Sequence, residues 1–253
     1  MTLTEAIDIR RSRRKYLDIP VEPEKIERLR LLAHDFSKID GIRIELIVDN
    51  GDAFKGLLRS YGMFSGVKNY AVLIGSLKDF LAIEKLGYYG ELFMLNAVTM
   101  GLGTCWVAGT FSLKHCPVKF SGEEMVYCTI TFGYANEQFS KREKLVYSLT
   151  HRKTKTIEEM MEADAPVPGW FMQGMNAVQK APSAVNRQPI MFSYLEGKTR
   201  AGIKNRNDAN SILDMGIAKL HFELGAAKSP EALNGKWNFG NYEEFILNGG
   251  ACA

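Results

Sequence analysis

The chain runs twice through one order of elements, and this repetition limits what it can fold into. Apolar residues Ile26, Leu29, Leu32, Ala33 and Phe36 recur at helical spacing, so Glu24 to Phe36 predicts an amphipathic helix. A loop follows, then an alternating strand from Ile42 to Val48 that closes on the turn Asp49-Asn50-Gly51-Asp52. A long apolar helix, Tyr88 to Met100, comes later, with Gly101 just past its end. Beyond Pro166, Pro168 and Gly169 the order returns. A helix from Trp170 to Gln179 leads through a loop to a strand, Ile190 to Leu195, and then to a long helix, Ile212 to Ala227. Gly90 and Gly216 fall at corresponding places in the two long helices. Repetition of this kind argues for two related halves, 1–164 and 165–253. The bland alternative is a coincidence between common α+β elements.

The remaining elements fill the longer first half. Thr4 is a plausible cap for a helix reaching Arg10, with Ala6, Ile7 and Ile9 apolar. Asn69 to Ser76 reads as a buried strand and Val126 to Tyr134 as another. A helix is expected to open at Lys155 or Thr156 and run through Met161. Loops 51–68 and 199–211 are left to shape any substrate face.

Composition narrows the class. The chain has 253 residues, 46% hydrophobic and 24% charged, the balance of an ordinary globular protein. Its formal net charge is only +3, and the basic excess gathers at residues 10–15 and again at 151–155. A nucleic-acid binder would carry a denser basic face. The N-terminus shows no apolar signal core, and no apolar run nears the ~20 residues that span a bilayer. Cys105, Cys116, Cys128 and Cys252 have no metal-ligand spacing and suit reduced thiols. The expectation is a soluble cytoplasmic protein with neither nucleic acid nor membrane as partner.

Three segments carry candidate chemistry. Arg10-Arg11-Ser12-Arg13-Arg14-Lys15-Tyr16 gathers guanidinium groups and a hydroxyl at the end of a helix. Such groups suit a phosphomonoester, with its charge of about −2 and strong acceptor oxygens. A basic run alone is more often solvated surface. Ala181-Pro182-Ser183-Ala184-Val185-Asn186-Arg187-Gln188-Pro189 combines rigid prolines with short polar side chains that can face a flat heterocycle. Its plain alternative is a polar turn before a strand. Gly101-Leu102-Gly103-Thr104-Cys105-Trp106-Val107-Ala108-Gly109 follows the first long helix, and its glycines permit close backbone approach. Cys105 reads as a small buried residue rather than a nucleophile, because no His or Asp stands at an activating spacing. Trp106 reads as core.

Together these segments resemble the FMN-dependent nitroreductases. In that family the basic motif is soon followed by the Pro-Ser-x-x-Asn-x-Gln-Pro loop, whereas here more than half the chain separates them. Residues 10–16, 89–109, 132–134 and 152–159 match the family in order. After the helix 24–36, however, the chain has His34 to Gly41 where the family has its loop, and the C-terminal half has the loop without an Arg-Arg-Ser motif. Each half lacks what the other keeps, a pattern similar to a single-chain, fused branch of the family.

The resemblance implies an α+β, nitroreductase-like fold. Two related halves, each with a mainly antiparallel sheet and helices, would pack as an intramolecular pseudo-dimer around one composite site. It implies FMN contacts at Arg10, Arg11, Ser12 and Arg14, with Arg152 and Lys153 joining the phosphate end. Cys105, Trp106, Val107, Ala108 and Gly109 would pass along the ring, and Pro182, Ser183, Ala184, Asn186 and Gln188 would touch it from the other side. Tightly bound FMN would take electrons from NAD(P)H and pass them to an electron-poor small molecule, a nitroaromatic or a quinone. The expected state is a monomer, with a homodimer left open. No catalytic side chain and no metal is implied. Two other readings stand beside this one: a flavin protein of structural, storage or sensing role, and a nucleotide- or nucleic-acid-binding module built on the two basic clusters.

Overall fold

A capping box starts the chain. In the computed structural model the Glu5 amide donates to the Thr2 hydroxyl at 3.2 Å, and the Thr2 amide donates to the Glu5 carboxylate at 2.8 Å. The first helix, α1 (Leu3–Ile9), is therefore capped by Thr2 and not by Thr4. Residues 1–55, 63–77, 79–204, 209–239 and 244–247 are described. Cys252 and parts of both expected substrate loops, 56–62 and 205–208, lie outside them. Contacts divide the chain into Met1–His151 and Arg152–Ala253. Residues 152–164, grouped with the first half on sequence, thus fall in the second unit.

In the first unit α2 (Pro23–Phe36) buries Ile26, Leu29, Ala33 and Phe36. A four-stranded antiparallel sheet follows, of order β1-β2-β4-β3, from β1 (Ile42–Ile47), β2 (Asn69–Ser76), β3 (Gly103–Val107) and β4 (Glu124–Gly133). β2 is central and buried on both faces from Asn69 to Gly75, which explains its unbroken apolar run. One face meets α3 (Phe80–Thr99). This helix starts well before the expected Tyr88, because Asp79 accepts from the Leu81 amide and caps it early. Gly90 lets α3 lie flat: a Cβ there would fall 2.6 Å from both Leu73 and Trp106. The other face carries Tyr70, Val72, Ile74, Cys105 and Val107 against Tyr16, Phe54 and Phe64.

The second unit holds a five-stranded sheet, β5-β6-β7-β9-β8, from β5 (Met161–Ala163), β6 (Ile190–Leu195), β7 (Lys198–Ile203), β8 (Lys236–Trp237) and β9 (Glu244–Ile246). β5 pairs parallel to β6 and the other pairs are antiparallel. The helix expected from residues 155–156 is replaced by a turn and β5. The Thr156 amide does donate to Glu159 in the manner of a helix start, but Met160 is buried and its carbonyl takes the Phe192 amide, so strand pairing wins. Left-handed Glu196 and Gly197, φ 53° and 73°, make the two-residue β6–β7 turn. Helices α5 (Gly169–Val178) and α6 (Ala209–Ala226) cover the sheet. They meet closely, since a Cβ on Gly225 would stand 2.5 Å from the Gln173 carbonyl oxygen. Phe171, Phe192, Phe222, Trp237 and Phe245 fill the space beneath.

Each unit thus contains the order helix, antiparallel strand pair, long helix: α2-β1-β2-α3 and α5-β6-β7-α6. The fold is α+β, with a mainly antiparallel sheet in each half.

One interaction fixes the basic segment of the first unit. A helix not read from the sequence, α4 (Lys141–Thr150), begins with a second capping box in which Glu143 serves Ser140. The same carboxylate accepts from Arg13 Nε at 3.1 Å, the Arg14 amide at 2.9 Å and the Lys15 amide at 3.3 Å. Further along, the Arg13 amide donates to Thr104, the Leu17 amide to Tyr134, and the Tyr16 hydroxyl to the Arg13 carbonyl. Burial by itself would raise the Glu143 carboxyl. The Arg13 guanidinium and the Arg14 and Ser140 amides outweigh that and hold it at about 2.

Two predictions follow from these contacts. A carboxyl lowered from the ordinary 4.5 to about 2 stabilises the fold fully above pH 4.5, and that contribution is lost as pH falls towards 2. Denaturant titrations across this window are expected to show the loss in the unaltered chain and a flatter profile in Glu143→Gln, which is also less stable at pH 7 by about 3 kcal/mol. Gly225→Ala gains about 1 kcal/mol of helix propensity. Overpacking at the α5–α6 contact costs about 1–3 kcal/mol. Equilibrium unfolding is expected to show net destabilisation.

Candidate functional site

From Arg10 to Tyr16 the chain runs extended, bridging to β3 at Ser12–Thr104. Side chains of such a segment alternate. Arg13 is buried on Glu143, and the exposed Arg11 lies 6.0 Å from the centre of the Phe139 ring. Arg10, Ser12 and Arg14 gather instead around Cys105. Burial raises the Cys105 thiol, while Arg14, a hydrogen bond from Ser12, and Arg10 pull it down; it stays above its ordinary value and remains protonated. The reading of Cys105 as an inert buried residue agrees with this.

Arg10 is the unusual member. Its side chain is 11% exposed, and its nearest carboxylate, the fully buried Glu91, is 4.0 Å away. Its Nε and Nη1 are buried without a hydrogen-bond partner. Buried guanidinium donors left unmade are costly, and an anion's oxygens would satisfy them. His151, at the end of α4, stacks on Tyr147 with ring centroids 4.1 Å apart. Burial, then Arg10 and Arg14, lower its imidazole below the ordinary value, so it belongs to the same cationic neighbourhood.

The β3 residues divide by side. Trp106 turns to α3 and donates to Glu91 at 2.7 Å, and Val107 enters the core. Beyond the strand Ala108 and Gly109 are exposed, and a Cβ on Gly109 would meet nothing within 4 Å. Gly103 serves packing: its missing side chain is replaced by Arg13 and Ala135, each 3.0 Å from a built Cβ. β3 is an edge strand, so its backbone past Thr104 is the part this segment offers.

In the second unit the loop 182–189 is tied down by its own polar groups. The Gln188 amide donates to the Ser183 hydroxyl at 2.9 Å, and the Gln188 side chain joins the Gln179 carbonyl and the Lys155 amide at 3.0 and 2.8 Å. Asn186 Nδ2 donates to the Arg152 carbonyl at 2.8 Å, and the Ala184 amide donates to both Asp214 oxygens at 3.1 and 3.2 Å. Pro182 lines a hollow with Ser183, Gln188 and Asp214. Arg152 and Lys153 are exposed, and Arg152 is fixed to the loop through its backbone.

The structure therefore brings Arg10, Ser12, Arg14 and Cys105 together in one unit, and Arg152, Pro182, Ser183, Ala184, Asn186 and Gln188 together in the other. Sequence reading missed Glu143, Glu91 and Asp214, and read His151 and Lys155 only as members of a basic run. The Ser140-x-x-Glu143 spacing was a visible capping signature. The others become significant only through contacts far apart in sequence. Among the described residues no helix is long and apolar enough to cross a membrane, and no group of His, Cys, Asp and Glu could hold a metal ion.

Comparison with known proteins agrees with this architecture. A putative nitroreductase from Thermotoga maritima superposes with a TM-score of 0.64 at 20% identity, covering 98% of this chain and 94% of that one. An FMN-dependent nitroreductase from Clostridium difficile is 23% identical, covering 53% of this chain and 88% of that one at a TM-score of 0.43. A putative nitroreductase from Desulfovibrio desulfuricans, solved in complex with FMN, is 16% identical and covers 66% of this chain and 99% of that one at 0.45. A search of curated proteins found no match. A family model described as "Putative TM nitroreductase" matches residues 2–226, and the chain belongs to that nitroreductase family.

Proposed function

We propose that the chain is an FMN-dependent oxidoreductase that takes electrons from NAD(P)H and passes them to an electron-poor acceptor such as a nitroaromatic or a quinone. The observation that carries this reading is the unsatisfied buried guanidinium of Arg10, beside Ser12 and Arg14 on one side of an extended segment. Family membership supports the class of chemistry.

In this proposal Arg10, Ser12 and Arg14 hold the phosphate, with the neutral His151 imidazole as a neighbour of the two arginines. The backbone from Cys105 to Gly109 lies along the ring. Bound FMN would supply the hydride and electron chemistry. The protein's own groups bind and orient it, and the protonated Cys105 thiol takes no covalent part. The chain carries one basic motif and one Pro-Ser-x-x-Asn-x-Gln-Pro loop, so one FMN per chain is the expected stoichiometry.

Replacing Arg14 by Glu turns a charge-assisted contact into repulsion. Purified Arg14→Glu is expected to be colourless and folded by circular dichroism, with FMN affinity lowered at least about 100-fold. Full flavin occupancy in that variant would move the phosphate elsewhere. Anaerobic NADH or NADPH is expected to bleach the flavin bands of the unaltered protein. Bands that persist would favour a flavin protein without turnover.

A further inference from the structure

Arg10 and Glu91 are opposite charges buried side by side that do not hydrogen-bond. Arg10 Nε stands 4.0 Å from Glu91 Oε1, close enough for charge attraction and too far for a hydrogen bond. A buried arginine and carboxylate would ordinarily close to about 2.8 Å, because the charge-assisted bond satisfies both groups. Here the guanidinium keeps Nε and Nη1 unmade.

The carboxylate is held from its other side. Trp106 Nε1 donates to Glu91 Oε2 at 2.7 Å, a short bond to a charged acceptor. Glu91 stands on α3 and Trp106 on β3, and Gly90 brings the two elements together, since a Cβ there would fall 2.6 Å from the indole ring. Arg10 closes α1, which packs on α3. Three elements of the first unit thus set the spacing of the three side chains.

The spacing has a physical use. A buried guanidinium without a counter-charge would be costly to hold. An arginine fully bonded to Glu91 would have few donors left to offer. At 4.0 Å Glu91 offsets the charge and leaves the donors open.

Resting on the reading above that Arg10 holds an anion, we propose that Glu91 is a positioning residue, the resident counter-ion of Arg10. The Trp106 N–H holds it off, so that the guanidinium stays buried and open to a phosphate. Glu91 and the indole act through Arg10 and do not touch the anion.

Inorganic phosphate is the probe, titrated into the flavin-free full chain against chloride at constant ionic strength. Calorimetry reads the affinity, and the unfolding midpoint is followed alongside. Glu91→Gln keeps an oxygen for the Trp106 N–H and removes the charge. Its midpoint without phosphate is expected to fall, while its phosphate affinity rises about tenfold, since the anion no longer meets a buried carboxylate. Trp106→Phe keeps an aromatic ring and frees Oε2, so Glu91 closes on Arg10 and phosphate affinity is expected to fall about tenfold. Arg10→Gln is expected to abolish the response. A merely structural pair would weaken phosphate binding in both variants or leave it unmoved.

Shifts of the same sign, or unchanged affinities in both variants, would overturn the proposal. So would an unaltered chain without a phosphate response, or a response that persists in Arg10→Gln. If Glu91→Gln does not fold, Trp106→Phe decides alone, and unchanged or tighter binding there overturns the proposal. Flavin fluorescence separates this outcome from the FMN reading. A chain that shows both phosphate shifts but takes up no FMN would overturn the FMN reading and leave Glu91 in its role. One that takes up FMN while the shifts fail would do the reverse.

Discussion

A single buried carboxylate sets the chemistry of the first unit. Glu143 caps its own helix and also accepts from Arg13, the Arg14 amide and the Lys15 amide. Six consecutive basic or hydroxyl residues, Arg10 to Lys15, would otherwise scatter into solvent, as long cationic side chains do. Anchoring Arg13 inward on one carboxylate decides the rest by alternation: Arg10, Ser12 and Arg14 turn to the opposite side and converge on Cys105. The ion pair is therefore less a source of stability than a device that sorts a run of like charges into a buried structural member and a set gathered at Cys105. A buried pair of this kind is best attested as a device of register.

The second unit reaches a similar end by other means. At its loop a mesh of amide and hydroxyl hydrogen bonds links Ser183, Asn186 and Gln188 to Lys155, Arg152 and Gln179. Several modest bonds, each worth roughly 0.5–1.5 kcal/mol net, together outweigh the left-handed backbone at three residues. Prolines at 182 and 189 bracket the mesh and reduce the freedom lost in forming it.

Much of this was legible in the sequence, and the misses have physical causes. Strands β2 and β6 were readable to the residue, because an unbroken apolar run and an apolar run closed by the Glu196-Gly197-Lys198 turn are local signals. The early start of α3 was not, since its first turns depend on Asp79 as cap. α4 escaped because its buried stripe is thin, with Glu143 and Val146 inside while Leu145 and Leu149 are exposed. The false helix at 155–161 had a genuine local signal, Thr156 with Glu159, overridden by the pairing of Met161 with Phe192. The motif residues themselves were identifiable, but their roles were not. Nothing local says that Asn186 and Gln188 face inward, or that Arg13 differs from Arg14.

Two of the places where the chain fails to satisfy itself lie in those motifs. Arg10 keeps buried donors unmade, and Val185 keeps a backbone that glycine would relax. Other such conflicts are resolved. Gly90 yields to Trp106, Gly225 yields to α5, and the Tyr16 hydroxyl bonds to Thr131 and the Arg13 carbonyl. Unmet buried atoms at Thr199 and Glu223 and left-handed backbone at Asp49 and Glu196 lie outside both segments, so what sets Arg10 apart is its place beside Ser12 and Arg14, where the proposed anion would complete it. Local rules are broken where function asks for it, and the surrounding fold supplies the stability that holds the breach open.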